Sequence, residues 1–191
     1  MQNISTNQYI YIVVTLVILY VILMYNSLVT LRHNVKEAAS DIDAQQKRRY
    51  DLIPNLVETV KAYAKHEKET LNSVIAARNL AMNNTGSITA KEIDEQALTN
   101  ALKSVFALSE NYPDLKSNTN FLELQRELTD TEDKIMASRR FYNSNVREIN
   151  IAIETFPKNI VAKIFGFSSE KFFELDNAEA KEVRDPVKVK F

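Results

Sequence analysis

Residues Tyr9–Tyr25 read YIYIVVTLVILYVILMY, without a charge, a glycine or a proline, and lead straight into the amphipathic string YNSLVTLRHNVKEAAS at 25–40. At 1.5 Å per helical residue the apolar run is about 26 Å long, close to the hydrocarbon thickness of a bilayer. Tyr9, Tyr11, Tyr20 and Tyr25 lie toward its two ends, where a ring with a polar tip suits the water–lipid interface. The reading is a short polar N-terminus at 1–8, a transmembrane helix at 9–25 continuing to about residue 50, and a larger domain hung from that single anchor. A cleaved signal peptide fits poorly. MQNISTNQ at 1–8 carries no Lys or Arg, the run is longer than an ordinary h-region, and LMYNSLV at 23–29 lacks the small-x-small pair of a cleavage site. Arg32 and Lys36 follow the span while its N-terminal flank is uncharged, so the positive-inside rule places the large C-terminal part in the cytoplasm. A periplasmic or extracellular domain is the alternative.

Working outward, two glycines and four prolines interrupt 191 residues, and no alternating β-branched run follows the anchor. The class is therefore all-α. The first helix carries Leu28, Leu31, Val35, Ala38 and Ile42 at steps of three and four, one apolar stripe. Asp51 can cap a second helix with Pro54 in its first turn and Leu56, Val60, Tyr63, Leu71, Val74 and Ala81 on its face. One long helix kinked at Pro54 is the other possibility. Met82–Thr89, MNNTGSIT, is a loop by composition, and Thr89 with Glu92 forms a capping box opening a third helix that runs to about Asn111. Tyr112-Pro113-Asp114 closes it. The fourth and longest helix, about 117–156, keeps a strict three-four alternation from Phe121 through Leu128, Ile135, Tyr142 and Ile149 to Phe156. Four such stripes bury most simply in an elongated antiparallel four-helix bundle behind the N-terminal single-pass helix. Thr131, Ser138 and Asn145 fall on the fourth stripe and are expected either to hydrogen-bond across the bundle or to sit at the stripe's margin.

The sequence lacks the parts of familiar active sites. It has two histidines and no cysteine; His33 and His66 are not preceded by Glu at the Glu-x-x-His spacing, and His66-Glu67-Lys68-Glu69-Thr70 ends in Thr where a zincin helix needs His. No nucleophile–base pair, thiolate metal site or phosphate loop can be assembled, so no catalytic residue, metal or cofactor is expected. A net charge of −1 leaves no broad basic field for nucleic acid. Lys47-Arg48-Arg49 lies about 33 Å beyond the span along a continuous helix, too far for steady lipid contact. Interhelical pairing is the expected role of Asp41, Arg48, Arg49, Glu132 and Arg139. After Pro157, the segment IVAKIFGFSSEKFFEL concentrates Phe165, Phe167, Phe172 and Phe173 around Gly166. These rings either cap the bundle's end or dock on the membrane or a partner. The charged tail at 176–191 ends in PVKVKF, a short extended motif able to add a strand to a partner's sheet.

The strings YNSLVTLRHNVKEAASDIDAQQKRRYDLIPNLVETVKAYAKHE (25–67), ENYPDLKSNTNFLELQRELTDTEDKIMASRRFYNSNVREIN (110–150) and FPKNIVAKIFGF (156–167) closely resemble the bacterial LemA family. The resemblance implies an N-terminal membrane helix followed by a helical bundle at 26–165, an aromatic C-terminal segment at 166–175, and location in the bacterial inner membrane. It brings no catalytic residues. By association within the family it points to a membrane zinc metalloprotease as a partner. Three function classes follow. The first is a non-catalytic scaffold or adaptor acting through homo-oligomers or an envelope protein partner. The second is a membrane-tethered signalling or ligand-sensing module, and an enzyme comes last.

Overall fold

A computed structural model describes residues 6–86 and 88–173. Among them the chain is helical with no strand: α1 (Thr6–Tyr63), α2 (Lys68–Asn83), α3 (Ile88–Ser109), α4 (Pro113–Lys116), α5 (Thr119–Glu154) and α6 (Lys158–Ile164). The loops on either side of α3 fall where Gly86 and Pro113 punctuate the sequence, whereas the break between α1 and α2 at 64–67 has neither residue type. The expected tail at 176–191 lies outside the described residues.

Two sequence-based boundaries are corrected: the second helix, expected to carry one face from Leu56 to Ala81, is broken at 64–67 between α1 and α2, with Tyr63 41% exposed at the break, and the first does not stop where it was expected to. No helix ends near residue 50; α1 runs unbroken for 58 residues through Pro54. Proline normally costs a helix interior about 3 kcal/mol, because it donates no hydrogen bond to the carbonyl four residues back. Here that carbonyl belongs to Tyr50, and Arg78 of α2 donates Nε–H to it at 2.7 Å. The ring itself is exposed, so it displaces no core atom. Asp51, expected as a cap, instead sits inside the helix and pairs with Lys47 at 2.8 Å.

The chain divides into two compact units. In the first, residues up to 41 and 138–172, α1 and the second half of α5 are joined by α6. Met24 and Leu28 of α1 pack with Ala152 of α5, Val161 and Ala162 of α6, and Phe167 beyond it. Helix α6 stops because Gly166 adopts φ +70, a left-handed conformation costly for a residue with a Cβ, and the Phe167 N–H then donates to the Ala162 carbonyl at 2.9 Å. The chain next turns back along α5. Asn150 holds Glu170 by a two-point clamp, Nδ2–H to O at 3.0 Å and N–H to Oδ1 at 2.9 Å, and the Tyr142 hydroxyl donates to the Lys171 carbonyl at 3.1 Å.

The second unit, residues 42–137, is the four-helix core. Ile53, Leu56 and Val60 of α1, Leu71 and Val74 of α2, Leu98, Leu102 and Val105 of α3, and Phe121 and Leu128 of α5 form one apolar cluster. Leu115 on the short α4 is fully buried in it. Helix ends are tied by Tyr112, which donates to Glu67 at 3.1 Å, and by Asn118, which donates to the Tyr63 hydroxyl at 2.9 Å.

Two expectations for the α5 stripe are corrected. Thr131 and Asn145 are buried, but each donates to a carbonyl one turn back on its own helix, Glu127 and Phe141, rather than across the bundle. Both side chains have a satisfied polar group without a partner helix. Phe156, placed at the end of the buried stripe, is 73% exposed because α5 stops at Glu154 and the chain turns at Pro157.

Candidate functional site

Two constellations stand out, one in each unit. In the four-helix unit, Arg49 of α1 occupies a core position. It follows Ile42 and Gln46 and precedes Ile53 and Leu56 in a three-four alternation whose members are all buried. Its side chain is 4% exposed, and a cation there must be neutralised and fully hydrogen-bonded. Nη1 lies 3.2 Å from Glu95 Oε2 and 2.9 Å from Glu132 Oε2, and Nη2 donates to Thr99 Oγ1 at 2.8 Å. Thr99 in turn donates to the Glu95 carbonyl at 3.1 Å. The buried Tyr50 hydroxyl donates to the second oxygen of Glu95. Burial, then the carboxylate it faces, pushes the Tyr50 hydroxyl pKa well above the ordinary tyrosine value. The chemical consequence is a closed network. Glu95 is engaged by Arg49 through one oxygen and by Tyr50 through the other.

Around this network lie weaker, solvated pairs. Arg48 is 3.7 Å from Asp130, Lys91 is 3.8 Å from Asp43, and Lys134 donates to Asp130 at 2.8 Å. Lys134 holds the Asp130 carboxyl below the usual carboxylate range. An open cleft of about 320 Å³ runs over the network's edge, lined by Asp43, Lys47, Tyr50, Asp51, Lys91 and Glu95 among others.

Of the residues expected to pair between helices, Arg48, Arg49 and Glu132 are brought together here. Asp41 is exposed and Arg139 half-buried, and both belong to the other unit. Sequence reasoning missed Glu95, Tyr50 and Thr99. The signal for Glu95 was present: it lies three residues before Leu98 in the series Glu95, Leu98, Leu102, Val105, a carboxylate on an apolar stripe. A buried acid on one stripe and a buried base on another imply each other.

The second constellation is at the C-terminal end of the apolar run. The Phe165 and Phe167 rings lie 4.8 and 5.9 Å from Tyr25, and the Arg32 guanidinium sits 4.9 Å from the Phe167 ring centroid. Phe167 is buried, Phe165 and Phe172 are about half exposed, and Phe173 is half-buried. Preceding this cap, the large apolar side chains from Tyr9 to Leu23 other than the partly buried Val21 are 48 to 72% exposed, with Tyr9, Tyr11 and Tyr20 among them. Among the described residues nothing covers most of this surface, and the helix is long and apolar enough to cross a membrane.

Residues 38–191 match the LemA family, four-fifths of the sequence. The chain belongs to the LemA family. It is 29% identical over 163 residues to Protein LemA of Metamycoplasma hominis, an alignment covering 83% of this chain and 72% of that protein. It is 25% identical over 177 residues to the magnetosome protein MamQ of Magnetospirillum gryphiswaldense, covering 80% of this chain and 65% of that one. A second such relative, magnetosome protein MamQ 2 of Paramagnetospirillum magneticum, is 24% identical over 178 residues, with 80% and 65% covered. The chain thus spans about two thirds of the length of the MamQ relatives. As a LemA family member with an unburied apolar helix near its N-terminus, it is a membrane-associated helical protein.

Proposed function

We propose that this LemA family chain is a non-catalytic membrane-anchored scaffold or adaptor, whose exposed helix faces bind copies of itself or an envelope partner. One observation carries the reading: the apolar span and the wall of the four-helix core are the same unbroken helix, α1, so anchor and binding surface are coupled without a linker. The closed state of the Arg49–Glu95 network supports it, since the buried ionic groups are engaged in holding helices. Arg32 and Lys36 beyond the span support a cytoplasmic bundle.

Chemical cross-linking of the full chain in its native membrane tests the proposal. A ladder of oligomers, or a constant heteromeric band such as one with a membrane zinc metalloprotease, is expected. A monomer that cross-links to nothing at any protein density sinks it. Orientation is read separately by single cysteines at Asn3 and Val187, with a membrane-impermeant maleimide on intact cells. Labelling of position 3 alone is expected, and labelling of 187 alone reverses the topology.

The open polar cleft beside Tyr50 favours the second reading, a ligand-sensing module. A ligand there would raise the melting temperature with the logarithm of its concentration above Kd.

A further inference from the structure

The turn between α5 and α6 lies at the level of the membrane span. A groove of about 550 Å³ is lined on one side by Tyr20, Leu23 and Met24 and on the other by Phe156 and Pro157. Tyr20, Leu23 and Met24 belong to the apolar run of α1, while Ser27, Leu31 and Glu148 in the same groove lie beyond it, so the turn sits beside the end of that run. Two further contacts fix that depth. Lys158 donates to the Ser27 hydroxyl at 3.0 Å, and Ser27 is about 3 Å beyond Tyr25 along the helix axis. Val161 and Ala162 are buried against Met24 and Leu28.

What the elbow presents outward is apolar. Phe156, Ile160 and Ile164 recur every four residues and are 73, 51 and 71% exposed, and Phe165 beside them is 52% exposed. In water such a patch would be a liability; next to a bilayer it is an interfacial surface. Lys163 flanks it with a long, exposed stem that can carry its ammonium group to headgroup phosphates, while Glu154 is exposed at the end of α5.

We propose that Phe156, Ile160, Ile164 and Phe165 insert into the bilayer leaflet at which α1 emerges, so that the chain contacts the membrane through a helical span and an interfacial elbow. The occupant of this face is the bilayer itself, because the span beside it is already in lipid. The contact stands whether or not the chain self-associates. It also differs from a docking role for the whole aromatic segment: Phe167 is buried and takes no part.

The chain has no tryptophan, so single-Trp variants report one site each. The full chain would be placed in vesicles of phosphatidylcholine and phosphatidylglycerol with or without bromine on the acyl chains. Leu16→Trp marks the span, Phe156→Trp and Ile164→Trp probe the elbow, and Phe141→Trp is the reference. Phe141 is 55% exposed but about 20 Å farther along α5. Brominated chains should strip most of the emission from Phe156→Trp and Ile164→Trp, as from Leu16→Trp, with blue-shifted spectra, and leave Phe141→Trp unchanged. Water-like, unquenched emission from both elbow variants overturns the proposal. So does blue-shifted emission that bromine leaves intact, which would mean a protein covers the elbow. An unquenched Leu16→Trp removes the depth argument and overturns it as well.

Discussion

Replacing Arg49 with methionine isolates the buried network. The substitution removes a cation whose side chain is 4% exposed and which serves Glu95, Glu132 and Thr99 at 3.2, 2.9 and 2.8 Å. Glu95, itself 4% exposed, keeps the Tyr50 hydroxyl but loses its counter-charge. Breaking a buried pair from one side costs about 3–5 kcal/mol, because the remaining charge is stranded in a medium that cannot solvate it. Glu132 is 35% exposed and recovers water, so it adds little, under about 1 kcal/mol. For a chain of this size the total corresponds to a fall of roughly 6–20 °C in melting temperature. The assay is far-UV circular dichroism of the full chain in a non-ionic detergent, with Arg49→Lys as an intermediate. Lysine keeps the charge, but its ammonium cannot reproduce the guanidinium fork. The decisive comparison is the double variant Arg49→Met with Glu95→Leu, expected to lose clearly less than the sum of the two singles, because neither charge of the pair is then stranded and the Tyr50 hydroxyl alone loses its acceptor, at about 1–3 kcal/mol. A loss below about 1 kcal/mol for Arg49→Met, or a double variant as damaged as the sum of the singles, would refute the reasoning.

Two further predictions concern neighbouring groups. Tyr50 has a raised hydroxyl pKa, so the folded chain keeps this proton where the unfolded chain loses it; its contribution to stability is complete below about pH 10 and is lost as the pH rises beyond that. Tyr142, raised by burial and then by Glu170, acts in the same sense, so Tyr50→Phe should flatten but not abolish the alkaline loss measured by urea titration at several pH values, while costing about 1–3 kcal/mol at neutral pH. Arg78→Ala should cost about 1–2 kcal/mol, and less in a Pro54→Ala background, where a restored N–H can serve the Tyr50 carbonyl; equal costs in both backgrounds would show that Arg78 does not compensate for the proline.

The sequence by itself determined the all-helical class and most of the inward faces. Helix periodicity is local: whether Leu98, Leu102 and Val105 share a face depends only on 3.6 residues per turn, and whether Tyr9–Tyr25 can span a bilayer depends only on its length and lack of charge. The strings that mark the family were legible for the same reason. Pro54 was read correctly as a place where a helix is weak, but its fate turned on Arg78, 24 positions away on another helix. The tertiary structure alone decided which charges meet. Arg49 and Glu95 are separated by 46 residues, and their pairing depends on the axial register of α1 against α3, which packing fixes and no local pattern encodes. The elbow belongs to the same class. Phe156 continues a buried stripe in sequence, yet ending α5 two residues earlier turns it outward, beside the membrane span, where an exposed ring acquires a use.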